Sequence, residues 1–244
     1  QELGLLAVVL LVFLYDLFMP KTTQRYLPLF ACVAFGIYTV ATSLNVVTGS
    51  AFSGMYESNQ ATFAIKVILN IGALIVLIQS AKWANSEFVS VRRGEFYTLL
   101  LITLFGMDFM ISARHFLLFV IGLETASLPL AALVAFDKNH YESHEAAVKY
   151  MFTAIFSSAI FMLGLSFVYG IGGSLYFDDL FLAVSASMSP LLIIALAFVV
   201  AGVGFKLSLV PFHLWTADVY QGAPTAVTSY LSVISKGAAA FAFF

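Results

Sequence analysis

Charge is scarce in this 244-residue sequence: 10% of its residues are Asp, Glu, Lys or Arg, against 61% that are hydrophobic, a balance far from that of soluble domains. The net charge of −2 spreads no basic field that would attract nucleic acid. Cysteine is almost absent. The one residue, Cys32, lies within an apolar run, so internal disulfides, cysteine-based zinc sites and iron–sulfur clusters held by this chain are excluded. The four histidines form no HExxH pattern, and no glycine-rich phosphate loop is present. Any redox centre of an enzyme containing this chain therefore belongs to another subunit.

Hydrophobic length is what the sequence has instead. The mean hydropathy is +0.99, and the apolar residues fall in runs of about 17–25 separated by short polar breaks, the length a helix needs to cross about 30 Å of hydrocarbon. Barrel strands would alternate over about ten residues, which these runs do not. The pattern predicts an all-α polytopic transmembrane bundle of about eight spans. They run near Leu3–Met19, Tyr26–Val47, Thr62–Ser80, Glu95–Ile111, His115–Phe136, Ala146–Ile171, from Pro190 to a break at Pro211, and from Pro224 onward. Residues 1–94 read as an N-terminal group of three spans and 95–244 as a second unit. After Gly172 and Gly173, an amphipathic piece is expected to lie at the interface. The chain begins with Gln1 and stops inside an apolar run at Phe244, which reads as a piece of a longer polypeptide.

Loop charges orient the bundle. Lys21, Arg25, Lys82, Arg92, Arg93 and Lys138 fall in the loops after spans one, three and five, whereas Arg114 alone falls after two, four and six. The positive-inside rule puts the first set in the cytoplasm, or the equivalent organellar compartment, and the N-terminus outside. A bacterial inner membrane is the expected location, with an organellar inner membrane as the alternative.

Four charges inside the apolar runs carry the functional reading. An ammonium at mid-bilayer costs about 2.5–3.5 kcal/mol on translocon scales, so it faces protein, water or a partner charge. Lys206 and Lys236 sit in the last two runs, with Pro211, Gly222 and Pro224 between them, a broken helix beside two buried lysines. That suggests an ion path; snorkelling to the headgroups is the alternative. Glu124 lies about 13 Å into its span and needs a counter-charge, either as one half of a switchable acid–base pair or as a static ion pair. Lys149 follows Glu145 by four residues and shares its helix face, which is also what a surface pair does. Pro211 has no N–H, so a carbonyl freed there has to be satisfied, and a water-lined cavity beside Lys206 is one way. His213, in the same break, is a possible proton relay or a structural histidine. Asp16, Lys66 and Asp108 lie near span ends and read as structural, with Arg114 within reach of Asp108.

The segments GLETASLPLAALVAF, HEAAVKYMFTAIFSSAIFMLGLSFVYGIGGS and GFKLSLVPFHLWTADVYQGAPTAVTSYLSVISK resemble the antiporter-like subunits of proton-pumping NADH:quinone oxidoreductase, respiratory complex I. The DVYQGAP piece points to the subunit N branch, called subunit 2 in mitochondria. The resemblance covers the chain from about Glu95 onward and implies about fourteen helices containing two inverted five-helix repeats, the first of which is present here. It implies that Glu124, Lys149, Lys206 and Lys236 move protons. NADH, flavin, iron–sulfur clusters and quinone would sit on other subunits, with no cofactor in this chain, and the partners would be other membrane-arm subunits and the lipid bilayer. Ala217 and Ala226 stand where the family commonly has prolines, and the second repeat with its own lysine is absent. A multisubunit sodium/proton antiporter, a membrane-bound hydrogenase, or a structural subunit that pumps nothing are the rival readings.

The topology is checked with single cysteines introduced into a Cys32-free full-length protein and probed with an impermeant thiol reagent. Positions in the 82–93 loop should react only from the cytoplasmic side and those in the 48–60 loop only from outside; reaction of both from one side contradicts the span order.

Overall fold

This computed structural model describes residues 1–20, 23–46, 48–86, 89–186 and 189–243. Lys21, Val47 and Phe244, used above in the charge and span assignments, lie outside the described residues, as do Glu87, Phe88, Ser187 and Met188 of the connecting segments. The helices are α1 Glu2–Phe18, α2 Leu27–Leu44, α3 Gln60–Ala84, α4 Arg93–Ile111, α5 Phe116–Val134, α6 Tyr141–Gly172, α7 Phe177–Ala186, α8 Pro190–Leu207, α9 Leu214–Gly222 and α10 Thr225–Phe243. Among the described residues, seven helices (α2 to α6, α8 and α10) are long and apolar enough to cross a membrane. The expected first span is α1, whose 17 residues cover about 25 Å, a little less than the hydrocarbon thickness. The chain is a multi-pass integral membrane protein.

Local chemistry sets the helix ends. Asn59 and Thr62 form a reciprocal capping box at the start of α3, satisfying two N–H groups that the helix leaves open. Ser189 caps α8, with Pro190 in its first turn, where a missing N–H costs nothing. Gly173 ends α6 in the left-handed region at φ 67°, which a residue without Cβ adopts freely. At α5 the cap is His115, whose Nδ1 accepts from Leu117 N–H at 3.0 Å. Burial pushes this imidazole below its usual pKa, which keeps the ring nitrogen available as an acceptor.

The loops gather by side, as the charge count expects. At one end, Arg93 donates to the Gln24 carbonyl at 2.9 Å and to Ser90 O at 2.8 Å, tying the connection after α1 to that after α3. At the other end the segment 49–58 is not a plain linker. It forms a short antiparallel hairpin, β1 Gly49–Ala51 with β2 Tyr56–Ser58, in register Gly49↔Ser58. Glu57 N–H donates to Ser112 O at 2.9 Å, Arg114 N–H to Met55 O at 2.7 Å, and Phe177 N–H to Arg114 O at 3.1 Å. The connections after α2, α4 and α6 thus form one layer. The ten-residue α7 follows it, with Phe177 turned inward onto Phe116 and Phe181 exposed, as expected of an interfacial helix.

The central helix is α4, with 13 of its 19 residues buried. Lipid tails are as apolar as leucine, so membrane helices are held by close packing more than by hydrophobic burial. Gly106 and Gly122 let α4 and α5 touch backbone to backbone: a Cβ on Gly106 would come 2.5 Å from Ala126 N, and one on Gly122 would come 2.6 Å from Met110 N. Gly106→Ala should therefore separate the two helices and cost about 1–3 kcal/mol, read as a lower melting temperature of the full-length protein in detergent. An unchanged melting temperature contradicts this packing.

Candidate functional site

The buried charges converge where α5, α6, α8 and α9 meet. Lys206 ends α8 and is 4% exposed. Its Nζ donates to Ser127 Oγ at 2.8 Å, and Ser127 in turn donates to Leu123 O at 2.6 Å. Ser127 lies three residues after Glu124, on the same face of α5. The half-buried Glu124 carboxylate accepts from Ser158 Oγ on α6. Glu124 and Lys206 are therefore coupled electrostatically without a direct ion pair, each having its own hydroxyl partner. Pro129 lies inside α5, so Thr125 O, beside Glu124, has no helical donor.

The helix breaks earlier than Pro211 alone would set it. Helix α8 stops at Leu207, and Ser208 turns left-handed at φ 57°; the Val210–Pro211 peptide is cis. Two carbonyls in the last turn of α8 keep protein donors: Trp215 Nε1 donates to Phe205 O at 3.3 Å, and Leu209 N–H donates to Gly204 O at 2.8 Å. A cavity of about 300 Å³ lies at the break, but Phe152, Phe156, Phe205, Pro211, Phe212 and Trp215 dominate its lining and Lys206 is not part of it.

Lys236 lies twelve residues into α10 and is half-buried. It directly follows a π-helical turn, Tyr230–Ser235, a widening often found at functional positions and without a signal in the hydrophobic pattern. The Lys236 ammonium rests over the Tyr220 ring, 5.1 Å from its centroid. Between the two lysines stand residues that sequence reasoning missed. The Tyr150 hydroxyl is buried beside Ser127 and within electrostatic range of Glu124 and Tyr220; neither Tyr150 Oη nor Tyr220 Oη forms a hydrogen bond. Trp215 fills the space between, with ring centroids 5.3 Å from Tyr150 and 6.4 Å from Tyr220.

Lys149 is held by two carboxylates at one rim of the bundle. The expected Glu145 contact is present at 2.7 Å, and Asp218 of α9 adds a second at 2.5 Å. Asp218 belongs to the DVYQGAP segment, so the motif was visible but its pairing was not. His213 precedes α9, is exposed, and makes no side-chain hydrogen bond or ion pair among the described residues; it joins neither lysine. The anticipated Asp108–Arg114 pair is also absent, because Arg114 Nε bonds Glu57 at 2.7 Å in the outer loop layer.

Residues 113–244 match the family model described as NADH:quinone oxidoreductase/Mrp antiporter, TM. The chain is 52% identical over 244 residues to NADH-quinone oxidoreductase subunit N of Azobacteroides pseudotrichonymphae genomovar. CFP2, covering 99% of this chain and 50% of that protein. It is 51% identical over 241 residues to the protein of the same name from Phocaeicola vulgatus, again covering 99% and 50%. A chain in the structure of respiratory complex I from Thermus thermophilus with bound aureothin superposes with a TM-score of 0.81 at 29% identity, over 99% of this chain and 52% of that one. The sequence spans about half the length of the curated relatives it matches.

Removing the Ser127 hydroxyl leaves a buried ammonium without its acceptor. Ser127→Ala should destabilise the full-length protein by about 1–3 kcal/mol, measured by thermal denaturation, and Ser127→Thr should restore most of it. Equal stability of all three forms would show that the bond is not formed.

Proposed function

We infer the function from one premise: the chain belongs to the NADH:quinone oxidoreductase/Mrp antiporter transmembrane family. It is, in this reading, part of a proton-translocating subunit in the membrane arm of a respiratory NADH:quinone oxidoreductase, seated in a bacterial inner membrane among other membrane-arm subunits. NADH, flavin, iron–sulfur clusters and quinone stay with those partners. This chain's part is to hold and pass protons.

One observation carries the proposal. A lysine that is 4% exposed, at the broken end of a membrane helix, is bound to a hydroxyl one helical turn from a carboxylate it does not touch. Two charges locked in direct contact would stabilise each other's ionised form and resist exchange. Two charges each resting on a hydroxyl are still coupled, yet either can change its protonation while the other keeps a hydrogen-bond partner. Glu124 sets the charge balance at Lys206. Lys206 exchanges protons with Lys236 past the Tyr150 and Tyr220 hydroxyls, and Lys149, poised between Glu145 and Asp218, serves the cytoplasmic uptake side. His213 stays at the surface of the break and takes no step in this scheme. The first five-helix repeat corresponds to α4–α6, α8 with α9, and α10.

The family name also covers cation antiporters. The relatives cited above carry the quinone oxidoreductase name, which favours that branch. A structural subunit with static charges is separated by experiment, because buried ion pairs are often replaceable by apolar groups of similar volume. Glu124→Gln combined with Lys206→Met, in the full-length protein within its assembled complex, should preserve assembly and NADH oxidation by the soluble arm while abolishing proton pumping in sealed vesicles. Undiminished pumping at normal assembly sinks the proposal. If the double variant fails to assemble, Lys236→Met is judged by the same measure.

A further inference from the structure

A second buried polar cluster lies in the N-terminal helices, apart from the line Glu124–Lys206–Lys236. Lys66 and Asn70 on α3 and Asp108 on α4 are each 0% exposed. Lys66 Nζ donates to the Glu2 carboxylate of α1 and to Tyr56 Oη of β2, the latter at 3.2 Å. Both oxygens of Asp108 and both polar atoms of the Asn70 amide make no hydrogen bond. Tyr38 of α2 lies against Asn70 and within electrostatic range of Asp108 and Glu2. From α10, Tyr230 in the π-helical turn stands within electrostatic range of Asp108 and accepts from Thr103 Oγ1 at 2.9 Å. Lys66 and Asp108, first read as ordinary span-end charges, thus belong to a cluster drawn from six elements.

The charge count is unbalanced. The side chains bring two carboxylates and one ammonium, and Glu2 already occupies the ammonium. Lys66 and the Gln1 amino group, the latter 3.5 Å from Glu2, both attract Asp108, but neither gives it a hydrogen bond or an ion pair. An ionised carboxylate that is both buried and without hydrogen bonds is among the costliest groups a membrane interior can hold, and buried polar atoms in native proteins almost always find partners. A metal cation would need several converging oxygens and would be repelled by Lys66. A proton needs one.

We propose that Asp108 is a proton-holding site on the outward side of the bundle, bounded by Lys66, Glu2 and Asn70 and joined to the Lys236 helix through Tyr230. Loading forms an O–H bond on one Asp108 oxygen and removes one negative charge. Unloading returns the proton to water. The route outward passes Ser112, one helical turn beyond Asp108, whose Oγ is also buried and unbonded, and reaches the half-exposed Glu57–Arg114 pair in the loop layer. That this is the outlet of the path through Lys206 and Lys236 rests on the translocation reading; that Asp108 exchanges a proton does not.

Infrared difference spectroscopy of the full-length protein in its assembled complex, between low and high pH, separates the two. A carboxylic-acid C=O band that shifts in heavy water should be present in the native complex, disappear in Asp108→Asn and change frequency in Asp108→Glu. A band unmoved in these variants, or no such band at any pH, overturns the site; if Asp108→Asn does not assemble, Asp108→Glu alone decides. For the outlet, protons pumped per NADH should fall by at least half in Asp108→Asn, and Lys206→Met serves as the control. Full pumping in Asp108→Asn with pumping lost in Lys206→Met overturns the outlet role and leaves the translocation reading intact. Full pumping in both removes the translocation reading, while the infrared result still stands for Asp108.

Discussion

The cost of an unpartnered charge in hydrocarbon organises this protein. Each ammonium or carboxylate at membrane depth has to find a partner, and the fold answers in three different ways. Lys66 meets a carboxylate directly. Lys206 meets a hydroxyl, with its carboxylate one turn away. Lys236 meets the face of an aromatic ring, an attraction of about 0.5–2 kcal/mol depending on desolvation. Among these three lysines the contacts run from a direct ion pair to looser ones, and the two looser contacts belong to Lys206 and Lys236.

Backbone obeys the same constraint. Chain that leaves the helical pattern at membrane depth has to satisfy its N–H and C=O groups within the protein. At the break after Lys206, an indole and a left-handed serine turn supply donors to Phe205 O and Gly204 O. In α10 the helix widens by a π turn and continues. Pro129 withdraws one donor from the turn that carries Glu124. Each of the three irregularities lies within about a turn of one of the proposed proton carriers, so the defects and the charges occupy common ground.

The central helix α4 connects the two polar regions. It touches α5 through paired glycines on one side, which brings the Glu124 helix close, and it presents Asp108 toward α3 on another. Tyr230 of α10 bonds to Thr103 on this same helix, so movement of the π turn beside Lys236 would be felt at α4. A buried, densely packed helix of this kind transmits small displacements, because interiors at crystal-like density deform little.

Hydropathy runs, breakers and loop charges placed the spans, the break near Pro211 and the depth of Glu124, Lys206 and Lys236 from residue order alone. A helix advances a fixed distance per residue, so position along the chain is depth in the membrane. The Glu145–Lys149 pair was legible for the same reason, being set by a single helix. Partners on different helices were not. Ser127 under Lys206, Ser158 on Glu124, Asp218 on Lys149 and the buried cluster around Asp108 depend on how helices are rotated about their own axes and which faces meet, and small residues such as Gly106 and Gly122 decide that through packing. The all-round apolarity of membrane helices hides this: with lipid on one side and protein on the other equally apolar, the sequence carries depth but little azimuth, and only the tertiary structure supplies it.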